Sequence, residues 1–165
     1  MTDLPTTTAP PEEDETRLNA LQSQLYLALR LKEKNQVDKA GELLRGILKE
    51  EPRLAEPRME LARILLDTGQ LEEARAQAEE AVAILESGGQ WTDEIPENVL
   101  ASMALGLLGE IIRQQADADD VVFGDPEIWK ELTRASEAAF AKAKELDPDN
   151  EHAGYWVSGT DRPTE

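Results

Sequence analysis

The sequence predicts an all-α fold, a stack of antiparallel helix pairs with about three pairs and a C-terminal cap, and three observations carry that prediction. The chain has 165 residues, of which 40% are hydrophobic but only 4% aromatic. The core must therefore rest on Leu, Ile, Val and Ala, which suits close-packed helices better than a β-sandwich. An apolar pattern also recurs with a period of 34 residues between Leu21–Leu54 and Ala55–Gly88. Finally, turn residues fall at matching points of the two blocks.

Each block reads as two amphipathic helices joined by a short turn. Leu27 falls on Leu61, Ala28 on Ala62, Leu31 on Leu65, Val37 on Leu71, Ala40 on Ala74, Leu44 on Ala78 and Ile47 on Ala81. Matched positions are apolar or small, while those between are charged or variable. Asn35 and Gly69 stand where the first helix of each block ends, a place that often needs a positive φ. Ala28, Ala40, Ala62 and Ala74 are small where the helices cross. Pro52 closes the second helix of the first block. One pair cannot bury its apolar face alone, so the pairs must stack.

A third, altered pair spans residues 96–150. Its first helix is expected over Pro96–Gln115, with Leu108-Gly109 as the large-small pair. An insertion follows at 116–124. Asp125 then caps a second helix and Pro126 takes its first position. Ile128, Leu132, Ala135, Ala139 and Ala143 form one stripe of that helix, with Trp129, Phe140 and Leu146 beside it. Asp147-Pro148-Asp149-Asn150 ends the unit, and Glu151–Val157 begins like another first helix, a short cap that Tyr155 and Trp156 are expected to close. The helical domain thus covers 15–157. The Thr, Pro and acid-rich residues 1–14 and residues 158–165 read as disordered tails.

The blocks resemble the tetratricopeptide repeat. In the second block the family pattern is met by Leu61, Ala62, Leu65, Gly69, Leu71, Ala74 and Ala81. In the first it is met by Leu27, Ala28, Leu31, Ala40, Leu44 and Pro52. Gln24 and Arg58 stand where an aromatic is usual, Asn35 replaces a glycine, and Leu85 stands one residue before the expected proline. The resemblance implies a right-handed stack whose first helices line a concave groove that binds partner proteins. The family's groove positions are Gln22, Leu25, Leu29 and Lys32, then Glu56, Met59, Arg63 and Leu66, then Met103, Gly106, Glu110 and Arg113. Co-chaperone members that grip a C-terminal carboxylate carry Lys and Asn where this chain has Leu25 and Leu29, and Asn where it has Glu60. The clamp is therefore absent. The length also resembles bacterial secretion chaperones, in architecture only.

From this groove the expected binding surface is Leu25, Leu29, Lys32, Met59, Arg63, Leu66 and Met103. The stretch Leu25–Leu31 is apolar almost all round and needs cover, from the chain's own tail, a second copy or a partner segment. The leading reading is an adaptor or chaperone-like scaffold that binds a protein segment in the groove. The alternative is a homodimer through the Leu25–Leu31 helix.

A metal-binding or enzymatic protein comes last. Asp117, Asp119, Asp120 and Asp125 lack the EF-hand spacing and its closing Glu, so they read as a solvated acidic loop. His152 is the single histidine and has neither a positioned partner nor a pocket in the sequence, so it reads as a surface or capping residue. Gly88-Gly89 and Gly106-x-x-Gly109 lack the Lys and Ser/Thr of a phosphate loop. No catalytic residue, cofactor or metal is expected. The chain carries a net charge of −18, concentrated as −11 over residues 89–165. That balance opposes nucleic-acid phosphates and anionic membranes and permits a basic protein partner. With zero cysteines and no visible signal peptide, the expectation is a cytoplasmic protein.

Overall fold

The computed structural model describes residues 11–89 and 95–157, and every element among them is a helix. The order is α1 (Pro11–Glu33), α2 (Val37–Glu50), α3 (Ala55–Asp67), α4 (Leu71–Glu86), α5 (Glu97–Ala116), α6 (Asp119–Val122), α7 (Pro126–Leu146) and α8 (Glu151–Val157). Each helix packs on its chain neighbour from α1 through α5, while α5 packs on α7 across the inserted α6, and α8 packs on α7. The pairs are α1/α2, α3/α4 and α5/α7. One continuous core runs from Leu21 through the pairs to Ala153.

The turns inside the first two pairs are the same object repeated. Asn35 has φ 63° and Gly69 has φ 77°. Gln36 N–H donates to Leu31 O and Gln70 N–H to Leu65 O, both at 2.8 Å. Asn35 N–H donates to Lys32 O, and Gly69 N–H to Leu66 O. These are paired Schellman bonds, which satisfy carbonyls that a helix end otherwise leaves open. Gly88, at φ 80°, closes α4 in the same way, with Gly89 N–H donating to Ile84 O.

The small residues lie where the helices cross. Ala28 is 1% exposed, and Ala40, Ala62 and Ala74 are fully buried. In the third pair Gly109 and Ser136 take this role, because Ser136 Oγ donates to Gly109 O at 2.8 Å. The third unit also ends like the first: Glu51 and Asp147 share φ −139°, and their N–H groups donate to Ile47 O and Ala143 O. Pro52 and Pro148 follow them. Helix α8 therefore starts where α3 starts relative to its own predecessor.

Several expectations need correcting. Helix α1 begins at Pro11, so residues 11–14 belong to a helix rather than a tail. Residues 1–10 and 158–165, read as tails, lie outside the described residues. The insertion holds a turn of helix, α6, rather than a plain loop. The expected stripe of α7 is buried only from Ser136 onward. Ile128 and Trp129 are 49% and 39% exposed, at the end of α7 that packs on the single turn of α6. In α8 the inward residue is Ala153, while Tyr155 is 50% exposed; the side chain of Trp156 lies outside the described ones.

Leu27 differs most from its counterpart. It is 50% exposed, whereas Leu61 is 1% exposed. The wall of the stack explains the difference: α3 has α2 on its outer side, and no described helix precedes α1 to cover the corresponding face.

Candidate functional site

The first helices share one face of the stack and the second helices the other. Lys32 of α1 reaches Glu60 of α3 at 3.4 Å, and Arg45 of α2 reaches Glu73 of α4 at 2.7 Å. The face made by α1, α3 and α5 continues onto α8, because Gly106 lies under the His152 ring: a Cβ added at Gly106 would stand 3.7 Å from His152 Cδ2.

On this face a hollow of about 190 Å³ is lined by Arg63, Met103, Gly106, Leu107, Glu110, Asn150 and His152. The absence of a side chain at Gly106 keeps it open. Its charged walls are Arg63 on α3 and Glu110 on α5, with His152 Nε2 3.6 Å from a Glu110 oxygen. Among the described residues Arg63 has no carboxylate within ion-pair distance. The hollow therefore offers one guanidinium, one carboxylate and the Met103 thioether, which is 43% exposed. A guanidinium and a carboxylate are groups that can pair with backbone or polar side chains, and a thioether is an adaptable apolar contact.

The α8 end of the hollow is fastened by a chain of hydrogen bonds. Ser102 Oγ donates to Ala143 O at 2.6 Å, Asn150 Nδ2 donates to Ser102 Oγ at 2.8 Å, and Asn150 Oδ1 accepts from Ala153 N–H at 3.0 Å. The last of these caps α8. The ring of His152 packs edge-on to Phe140, with centroids 5.8 Å apart. His152 is thus a capping residue that also walls the hollow.

The seven residues expected at the binding surface divide into two sets. Leu25, Met59 and Leu66 are 4%, 6% and 4% exposed; they form the floor beneath the face and belong to the core. Leu29, Lys32 and Arg63 are half-buried and Met103 is open. Arg63 and Met103 meet in the hollow, while Leu29 and Lys32 lie farther along toward α1. The apolar stretch of α1 hides Leu25 and shows Tyr26 and Leu27 instead, at 48% and 50% exposure. Sequence reasoning missed Asn150 and His152 as hollow residues. The signal was the like-for-like ending Glu51-Pro52 and Asp147-Pro148, which puts α8 in the position of a further first helix.

Among the described residues no group of three or more His, Asp or Glu side chains is placed to hold a metal ion, and no helix is long and apolar enough to cross a membrane. No curated protein matched the chain. A family model for the tetratricopeptide repeat matches residues 31–86, the segment that holds the two Schellman turns and most of the first two pairs. That match, with three stacked helix pairs and small residues at their crossings, supports a helical stack of the tetratricopeptide repeat type.

Proposed function

We propose that the chain is an adaptor or chaperone-like scaffold that holds a segment of another protein along the α1–α3–α5 face. Leu29, Lys32, Arg63 and Met103 supply the contacts. The observation that supports this reading is the hollow of about 190 Å³ between Arg63, Met103 and Glu110, which opens on the same face as Leu29 and Lys32. Leu29 and Met103 give apolar area, and Arg63 orients a carbonyl or carboxylate. Lys32 contributes only after releasing Glu60, an inexpensive step for a partly exposed ion pair. The net charge of −18 favours a segment rich in Lys and Arg, since like charges across an interface oppose docking.

A random peptide library displayed on phage and selected on the full chain tests this reading. Selected peptides should lose at least about tenfold in affinity, or about 1.4 kcal/mol, on Leu29→Glu/Met103→Glu, with the helical content of the variant unchanged by circular dichroism. Peptides that bind wild type and variant equally well would remove the face from consideration.

The alternative is self-association through α1, and the half-exposed Tyr26 and Leu27 favour it. Light scattering on the wild type and on Tyr26→Glu/Leu27→Glu separates the two readings. A dimeric wild type with a folded monomeric variant would make α1 a seam between copies.

A further inference from the structure

Among the described residues, the corner where α6 meets α7 presents the densest run of exposed large apolar side chains. Val122 is 49% exposed, Phe123 85%, Ile128 49% and Trp129 39%, all within eight residues of chain. Four large side chains facing water at one bend are uncommon on a folded surface, and such patches usually mark an interaction site.

The bend is built. Val121 and Val122 N–H donate to Ala118 O, Phe123 N–H to Asp119 O, and Gly124 N–H to Val121 O. A Cβ at Gly124 would stand 2.4 Å from Asp120 O, so only glycine permits this closure. Asp125 then caps α7 by accepting from Glu127 N–H at 2.9 Å. These bonds fix the chain on both sides of Phe123 and carry its side chain outward. The patch lies on the α6–α7 bend, apart from the hollow lined by α3, α5 and α8.

Charge selects the occupant. Residues 117–131 hold six carboxylates against one lysine, a net −5. Asp117 lies 3.7 Å from Arg113, and Lys130 lies 3.2 Å from Glu127. Asp119, Asp120 and Glu131 flank the apolar residues as additional acids. A second copy of this corner is a poor occupant, because it would set a net −5 against a net −5 and like charges oppose contact. An apolar patch with an acidic rim instead fits a helix with leucine-like residues on one side and lysine or arginine on its flanks.

We propose that the α6–α7 corner is a second docking surface, which takes a cationic amphipathic helix of another protein, with Phe123 and Ile128 as apolar anchors and Asp119, Asp120 and Glu131 as the charged rim. It is independent of the α1–α3–α5 face, and either surface can fail without the other.

The probe is a synthetic Leu/Lys peptide of about 18 residues, five helical turns, with all leucines on one face. Titration calorimetry is done on the full chain. A second peptide of the same composition, with the leucines scattered, controls for bulk charge. The amphipathic peptide should bind at least about tenfold tighter than the scattered one. Phe123→Ser/Ile128→Ser should weaken it by about tenfold or more, and Asp119→Asn/Asp120→Asn by about threefold at ~50 mM salt, with the smaller effect fading at higher salt. The loss caused by Phe123→Ser/Ile128→Ser should be the same in the Leu29→Glu/Met103→Glu background, where the α1–α3–α5 face no longer competes for the peptide. Circular dichroism verifies that each variant is folded. Equal binding of the two peptides, loss of binding only in the Leu29→Glu/Met103→Glu variant, or a wild-type dimer that Phe123→Ser/Ile128→Ser dissociates would each overturn the proposal.

Discussion

The ring of Phe140 fills the space that a side chain at Gly109 would need: a Cβ built on Gly109 would stand 2.9 Å from both Cε1 and Cζ of that ring. Phe140 is 1% exposed and has no room to turn away. Gly109→Ala should therefore destabilise the fold by about 1 kcal/mol or more, since overpacking outweighs the gain in helix propensity. Gly46, which has nothing within 4 Å of its Cβ position, is the control. Gly46→Ala should stabilise by about 1 kcal/mol, and urea denaturation of the two variants measures both signs.

Leu27 and Leu61 occupy the same repeat position at opposite extremes of burial. Leu61→Ala should cost about 2–5 kcal/mol, the range for a fully buried leucine. Leu27→Ala should cost less than about 1 kcal/mol, because half of that side chain already faces water. Equal losses in urea denaturation would mean that the outer face of α1 is covered in solution.

Ser102 ties α5 to α7 and, through Asn150, to α8. Ser102→Ala removes the partner of the Asn150 amide as well as a bond to Ala143 O, so a loss of about 1–3 kcal/mol is expected. Hydrogen exchange should quicken in α8 more than in α3. Ser136→Ala removes one bond only, to Gly109 O, and should leave exchange in α8 unchanged.

At the turns, Gly69→Ala puts a Cβ at φ 77° and should cost about 1–2 kcal/mol. Asn35→Gly relaxes a similar φ of 63° and should be close to neutral in stability. A thermal melt of each variant compares them.

The helix pairs were legible because their physics is local and periodic. Asn35 and Gly69 announced positive φ, alanines announced crossings, and Asp125-Pro126 announced the start of α7. Exposure was less legible, since it depends on what lies beside a helix. Leu27 and Leu61 look alike in sequence, yet only one has a helix on its outer side. Ile128 belongs to a proper apolar stripe, yet it lies at the end of α7 beside the single turn of α6 and is half exposed. For the same reason Leu25, Met59 and Leu66 looked available and are core. Asn150 and His152 entered the hollow through the path of the chain after Pro148, which no spacing within one repeat encodes.

In the proposed mode of binding, a protein segment lies across α1, α3 and α5. Amide chemical-shift mapping of the full chain with a display-selected peptide tests it most directly. The largest shifts should fall at Leu29, Lys32, Arg63, Met103 and Glu110, with little change along α2 and α4. Shifts confined to α2 and α4, or to the outer face of α1 around Tyr26 and Leu27, would contradict it.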